Sequence, residues 1–446
     1  MRNLEEHPAV KRFHEKNQKV AWPPAGQRLN AERVRQMCLD LGADDVGFVE
    51  LGRPELDEQR EEILKVLPSA KTLVSFVCRV SRENLRSPAR SIANLEMHEV
   101  SKRVDTTACK ICASLERTGV RAVTPAAGFP MEADKWLERM HVVAHKPVAV
   151  AAGLGAMGMH RNVIHPVFGV YILLGTVVID AEVDGYSRPL DHTPCLGCKL
   201  CAAACPTGAI APDGYYNPVN CLTHTYREAI GGFTDWVEII ANSKDSRAYR
   251  KKVSDAETVS LWQSLAAGTC YKSMYCMAVC PAGEDVMAQF IMDRKGYMDE
   301  VVRPLQEREE TVYVLPGSDA ESHVLRMFPH KKVKQVGNGI RPHSIKVFLR
   351  AVQLAFQRDK AEGLDATYHF TFTGEENEKA TIIIRNKTVA VMNGHEGTAD
   401  IRITADSKAW LRALHKDSTM FREIAFRRIR VTGPLRLFKA FGECFA

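Results

Sequence analysis

The chain has 446 residues, 45% hydrophobic and 26% charged, with 60 basic side chains against 54 acidic ones and a net charge of +6. That length exceeds a single hydrophobic core and predicts two or three domains, and no run approaches the roughly 18 to 20 apolar residues of a membrane helix, so no transmembrane anchor is expected. The two charge signs are interspersed, which argues against nucleic acid as a partner, and the basic runs "HKKVKQ" (330–335) and "FRRIR" (426–430) read as solvated faces.

The N-terminus, "MRNLEEHPAVKRFHEKNQK", has neither the apolar core of a secretion signal nor a twin-arginine pair, which predicts a cytoplasmic protein. From about Asn30 to Asp180, helix and strand patterns alternate as in α/β or α+β domains. "NAERVRQMCLDLGADDVGFVEL" predicts a helix stopped at Gly42 and a strand through Val46 to Val49. "AKTLVSFVCRV" predicts a buried strand, "VDTTACKICASLERTG" a helix, and "FGVYILLGTVVID" a β-rich run broken by Gly175.

A cysteine-rich segment follows, from about Asp191 to Ala288, and then a stretch over 312–344 whose Pro, Gly and charges suit a connector. The last hundred residues change texture. "ATYHFTFTG" alternates with period 2, "ATIIIRNKTVAVMNG" predicts two strands around an Asn386-Lys387 turn, and "ADIRITAD" alternates again. A short helix, "SKAWLRALHK", capped by Asp406 or Ser407, and a final strand in "RRIRVTG" complete a small α+β domain with a largely antiparallel sheet.

Eight of the thirteen cysteines fall between Cys195 and Cys280. In a cytosolic chain that clustering points to metal rather than disulfides. "CLGCKLCAAACP" holds Cys195, Cys198, Cys201 and Cys205 before Pro206, the bacterial ferredoxin spacing in which the fourth thiolate reaches a second cluster. "GTCYKSMYCMAVCP" supplies the partner. By the crossover rule, Cys195, Cys198, Cys201 and Cys280 hold one [4Fe–4S] cluster, and Cys205, Cys221, Cys270 and Cys276 the other. The second set departs from the usual spacing, which leaves zinc or a three-iron cluster as alternatives there. Cys38 and Cys78 read as core thiols, and the C-x2-C of Cys109 and Cys112 as a weak redox or metal candidate.

Gly153, Gly155 and Gly158 in "AGLGAMG" have the dinucleotide-binding order, with Asp180 about twenty residues on. Against a nicotinamide site, the intervening run is too short for a crossover helix and carries Pro166, and "HKPVAVA" is a poor strand.

The run "HKPVAVAAGLGAMGMHRNVIHPVFGVYILLGTVVID", leading into the ferredoxin motif, resembles the cobalamin-dependent reductases that include reductive dehalogenases and epoxyqueuosine reductases. The resemblance implies an α+β multidomain protein: a nitroreductase-like cobalamin-binding α/β domain over 1–185, a double [4Fe–4S] ferredoxin-like domain over 186–300, and a connector over 301–342. It implies base-off cobalamin beside one cluster, reduced to cobalt(I), which attacks a carbon–halogen bond, an epoxide or a related electrophile. Gly153, Gly155, Gly158 and Asn162 are then the cofactor-binding candidates. His145, Lys146, His160, Arg161 and Tyr171 are the catalytic candidates, as proton donors or as cations for a leaving halide.

The acidic residue that epoxyqueuosine reductases place three positions before the proline is Ala144 here, which argues against epoxide reduction on transfer RNA. The dehalogenase tyrosine has no motif match. Residues 343–446 resemble the sterol-carrier-protein family through "YHFTFTG", a Thr-Ala-Asp before a Trp-containing helix and a late "VTG" strand. Phe370, Phe372, Ile382, Ile384, Trp410, Leu411, Leu414 and Leu437 on the apolar faces of such a domain either leave a tunnel between sheet and helices or fill it as an ordinary core or dimerisation module. The expected partners are an external reduced ferredoxin or flavodoxin and an apolar substrate or lipid, with no nucleic acid. The rival readings are an electron carrier or corrinoid-handling protein without its own chemistry, and a flavin-dependent reductase.

Overall fold

A computed structural model describes residues 4–16 and 28–445; part of the polar N-terminal stretch lies outside the described residues. The first region is built on a four-stranded sheet in the order Asp45–Glu50, Thr72–Arg79, Ile172–Ile179, Ala122–Val123. Every pairing in it is antiparallel. Its strands are nearly continuous apolar runs because both faces are covered. One face packs Phe48, Phe76 and Val177 against the long helix Arg90–Glu116 and the cysteine-rich segment. The other packs Val49, Leu73 and Val178 against Ile63 and the short helix His145–Ala151.

Gly175 does not break the strand Ile172–Ile179. It sits opposite Phe76 in the ladder, and a Cβ there would overlap the Phe76 ring. The glycine makes room for a neighbouring aromatic side chain within an intact strand.

The segment read as a connector is structured. Strands Thr311–Val314 and Lys332–Gln335 pair in parallel around helix Asp319–Met327, which Ser318 caps through the Glu321 N–H. Val312, Val314, Ala320, Val324 and Phe328 give this βαβ unit its own small core. Its strands are too short and charged for the alternating signal that a longer strand shows.

The C-terminal sheet runs Thr388–Asn393, Lys379–Arg385, Ala366–Thr373, Ile401–Asp406, Ile429–Thr432. Its pairings are antiparallel except between Ala366–Thr373 and Ile401–Asp406. Asn386 and Lys387 both take positive φ at the hairpin turn, and Asp406 caps helix Ser407–Leu414 by accepting from the Ala409 N–H. Helix Ile345–Ala355 covers the sheet and also packs on helix Pro218–Thr225 of the cysteine-rich segment. There the buried Asn217 side chain donates to the Phe356 carbonyl at 3.1 Å, and Arg358 pairs with Asp213 at 2.5 Å. Among the described residues, no helix is long and apolar enough to cross a membrane.

Candidate redox site

Two short turns carry most of the cysteines. Lys199, at φ 64°, enters helix Leu200–Ala203, and Met274, at φ 74°, enters helix Tyr275–Ala278. Each turn opens a four-residue helix with the same hydrogen-bond pattern, from Ala202 N–H to Lys199 O in one and from Met277 N–H to Met274 O in the other.

The first expected set is brought together. Burial pushes the Cys280 thiol up to about 12, and Cys198, Cys201 and Cys195 lie close enough for their charges to act on it. Burial likewise pushes Cys201 up to about 12, with Cys198 beside it. Such thiols are held ready for metal, which replaces their protons, rather than for free thiolate chemistry. This set is anchored to the sheet domain: buried Tyr171 donates to the Ala278 carbonyl at 2.8 Å and receives Arg86 Nε at 3.1 Å, while Arg86 also reaches Tyr297.

The second set divides. Burial, then Cys221, Cys205 and Cys201, raise the Cys276 thiol well above its ordinary value, and Cys205, Cys221 and Cys276 line one cavity. Cys270 does not. Its N–H donates to Ser264 Oγ, its Sγ lies 3.7 Å from the Gly268 carbonyl, and it lines a separate cleft. The expectation of Cys270 beside Cys205, Cys221 and Cys276 is therefore corrected: the loop after helix Asp255–Ala267 carries it outward. Among the described residues, no three His, Cys, Asp or Glu side chains converge on a single-ion site.

The cavity measures about 1440 Å³ and is lined by all three regions. Its walls include Met97, Val143, Ile172 and Leu174 from the first region, Tyr216, Tyr226 and Met274 from the second, and Phe348, Ala351, Trp410 and Phe441 from the C-terminal domain. His145, Lys146, His160, Arg161 and Asn162 all line it.

His145 is tied at both nitrogens, to Thr176 Oγ1 and the Ala126 carbonyl, each at 2.9 Å. Lys146 donates to the Arg161 carbonyl at 2.7 Å and Asn162 Oδ1 at 2.9 Å; burial lowers its pKa while Cys276 and Cys221 act in the opposite sense. His160 Nδ1 accepts the Asn162 N–H, so the neutral ring carries its proton on Nε2, which is buried and unpartnered. Burial, then the nearby Lys146 charge, lowers its pKa to about 4. Arg161, at φ 60°, donates to the Gly214 carbonyl at 3.3 Å.

Four expected site residues lie elsewhere. Tyr171 is 3% exposed, engaged with Arg86 and the Ala278 carbonyl, and does not line the cavity. Gly153, Gly155 and Gly158 pack against Arg188, Ile164 and His160, where a Cβ would clash. They follow helix His145–Ala151 instead of preceding a helix, the reverse of a dinucleotide-binding turn. The C-terminal aromatics are also more closely packed than a tunnel requires. Phe370, Phe372, Ile382 and Ile384 are buried in the domain core, whereas Trp410 and Leu414 reach the shared cavity, where Trp410 Nε1 is buried without a partner.

Comparison with known proteins follows these boundaries. Residues 348–446 match the SCP-2 sterol transfer family and residues 189–211 the 4Fe-4S binding domain. Both domains are present. Epoxyqueuosine reductase of Staphylococcus aureus is 32% identical over 82 residues, 18% of this chain and 21% of the relative. That of Gloeobacter violaceus is 22% identical over 174 residues, 38% of this chain and 50% of the relative. The chain is a homologue of epoxyqueuosine reductases over part of its length. It spans between a fifth and a half of these curated relatives.

Solved structures with similarity include epoxyqueuosine reductase from Streptococcus thermophilus (TM-score 0.36, 17% identity, 63% of this chain and 80% of that one). A catabolic reductive dehalogenase in complex with 3-bromo-4-hydroxybenzoic acid has TM-score 0.39 and 17% identity, over 62% of this chain and 37% of that one. An epoxyqueuosine reductase solved with a tRNA stem loop has TM-score 0.29 and 16% identity, over 43% of this chain and 56% of that one.

The expectation of no nucleic-acid partner is overturned by these relatives, one of which was solved with tRNA. Charges interspersed in sequence are gathered in space. The cleft that holds Cys270 has a volume of about 930 Å³ and is lined by eight Lys and Arg side chains, among them Arg250, Lys251, Lys252 and Lys332, against Glu257 and Glu310. Within it Lys272, Arg308, Lys334 and Arg250 are paired with Glu228, Glu310, Glu257 and Asp255, and Arg90 is buried.

Proposed function

We propose that the chain is an iron–sulfur oxidoreductase that holds two clusters and a corrinoid and reduces an electrophile in the central cavity. The observation that carries this reading is the meeting of Cys205, Cys221 and Cys276 with Lys146, His160 and the C-terminal Trp410 around one large, mainly apolar space. Cys195, Cys198, Cys201 and Cys280 suit the cluster nearer the surface, since Leu196 between Cys195 and Cys198 is exposed.

The donor set fits the clusters, because buried thiols with raised pKa values are stabilised by exchanging protons for iron. The cavity fits a corrinoid in its volume, its apolar walls and the orphaned His160 N–H. When bound, a corrinoid supplies a strongly reducing, nucleophilic metal centre. The chain's own residues do the rest. Neutral His160 offers an N–H hydrogen bond at Nε2, Lys146 holds the Arg161–Asn162 turn and contributes positive charge beside Cys221 and Cys276, and the aromatic walls limit the access of water.

The C-terminal side of the cavity favours an apolar electrophile such as an aromatic organohalide. The basic cleft favours a second reading, in which the electrophile is carried on RNA. Anaerobic turnover of the reconstituted protein with a halogenated phenol and with an epoxyqueuosine-containing stem loop, each with a chemical reductant, tests both. Product from the phenol alone supports the first reading, product from the stem loop alone the second, and no reductant-dependent product from either overturns the enzyme assignment.

A further inference from the structure

Aligning the two cysteine motifs on their final Cys-Pro pairs leaves one position unmatched in chemistry. Cys195, Cys198, Cys201 and Cys205 fall opposite Cys270, Ser273, Cys276 and Cys280. The backbone repeats as well, since the left-handed residues Lys199 and Met274 directly follow Cys198 and Ser273 and open equivalent four-residue helices. Ser273 thus stands in the second turn where a cluster thiol stands in the first.

Its surroundings are those of a ligand position. Ser273 is 6% exposed and lines the cavity with Cys205, Cys221 and Cys276, while Cys270 faces the basic cleft. Ser273 Oγ lies 2.8 Å from Thr225 Oγ1, which is itself 3.8 Å from Cys221 Sγ. Buried Arg90 donates to the Ser273 carbonyl at 2.5 Å, and the Lys146 charge acts on Cys221. A hydroxyl donor beside the oxygen is what an alkoxide ligand in a buried site needs, and the Thr225 hydroxyl is placed to supply it.

We propose that Cys205, Cys221, Cys276 and the Ser273 oxygen hold the second cluster, so that one iron carries a hard oxygen ligand and faces the cavity. Ser273 gives its hydroxyl proton to solvent as the Fe–O bond forms, with no change in oxidation state, and Thr225 then donates to the oxygen. This inference rests on the two-cluster part of the proposed function. The oxygen-ligated iron is the labile corner of the cube, because thiolates bind cluster iron more strongly.

The test uses the full chain, reconstituted anaerobically with ⁵⁷Fe and sulfide, with iron counted and Mössbauer and electron paramagnetic resonance spectra recorded. The wild type is expected to hold about eight irons and to show a distinct iron site that Ser273→Cys abolishes without loss of iron. Ser273→Ala is expected to lose about one iron and gain a three-iron signal on mild oxidation, and Cys270→Ala to match the wild type. A wild type without a distinct site, or a Ser273→Ala protein with an unaltered cluster, overturns the ligand assignment. About four irons in the wild type overturns the two-cluster reading itself and this assignment with it.

Discussion

The two proposed cluster sites share a turn geometry and differ in what lies behind them. Behind Cys280 is protein: Tyr171, Arg86 and Tyr297 form a buried hydrogen-bonded group between the sheet and the turn. Behind Cys221 and Cys276 is the cavity, with Lys146 and the unpartnered His160 on its wall. The same backbone device therefore stands against packed protein in one copy and against the cavity in the other. The surroundings, more than the turn, set the role.

The largest effect expected from breaking this comparison is on metal content. Cys280→Ala should lose the first cluster, about half of the iron, and loosen the core it belongs to, as iron assay and thermal unfolding would register. Next is acid sensitivity on the cavity side. The folded pKa of His160 is about 4, below the 6.5 of an unfolded histidine, so below pH 6.5 the unfolded chain binds the extra proton. Stability should therefore be level above pH 6.5 and fall between 6.5 and 4, by on the order of 3 kcal/mol from this residue. Urea midpoints at pH 7 and pH 5 should converge in His160→Asn relative to the wild type.

On the insulated side, Arg86→Met leaves the Tyr171 and Tyr297 hydroxyls short of a partner and should cost about 1–3 kcal/mol, read from urea unfolding. The smallest effect sharpens the electrostatic difference. Lys146→Met should lower the reduction potential of the second cluster by roughly tens of millivolts while leaving the first unchanged, as a redox titration followed by electron paramagnetic resonance would resolve.

Much of this was legible in the sequence where a short-range rule applied. Asp406 caps its helix at the expected place, the Asn386-Lys387 turn closes its hairpin, and the first cysteine motif brings its thiols together. The residues that went astray were placed by long-range packing. Tyr171 looks like any strand-edge tyrosine until Arg86 and Ala278, from distant segments, claim its hydroxyl. Cys270 follows motif spacing, yet the turn after Gly268 sends it away. Ser273 was missed because it is not a cysteine, although motif alignment alone would have marked its position. The basic cleft has no linear signature, since its side chains come from five separate stretches between Arg90 and Lys334.

The most direct test of the central claim is the iron and cobalt content of protein reconstituted anaerobically with iron, sulfide and hydroxocobalamin, together with its electron paramagnetic resonance spectrum. The account predicts about eight irons and one cobalt per chain, with a cobalt(II) signal lacking a nitrogen ligand on its lower face. Iron in that amount without retained cobalt would contradict it and leave an iron–sulfur protein whose cavity serves another cofactor or none.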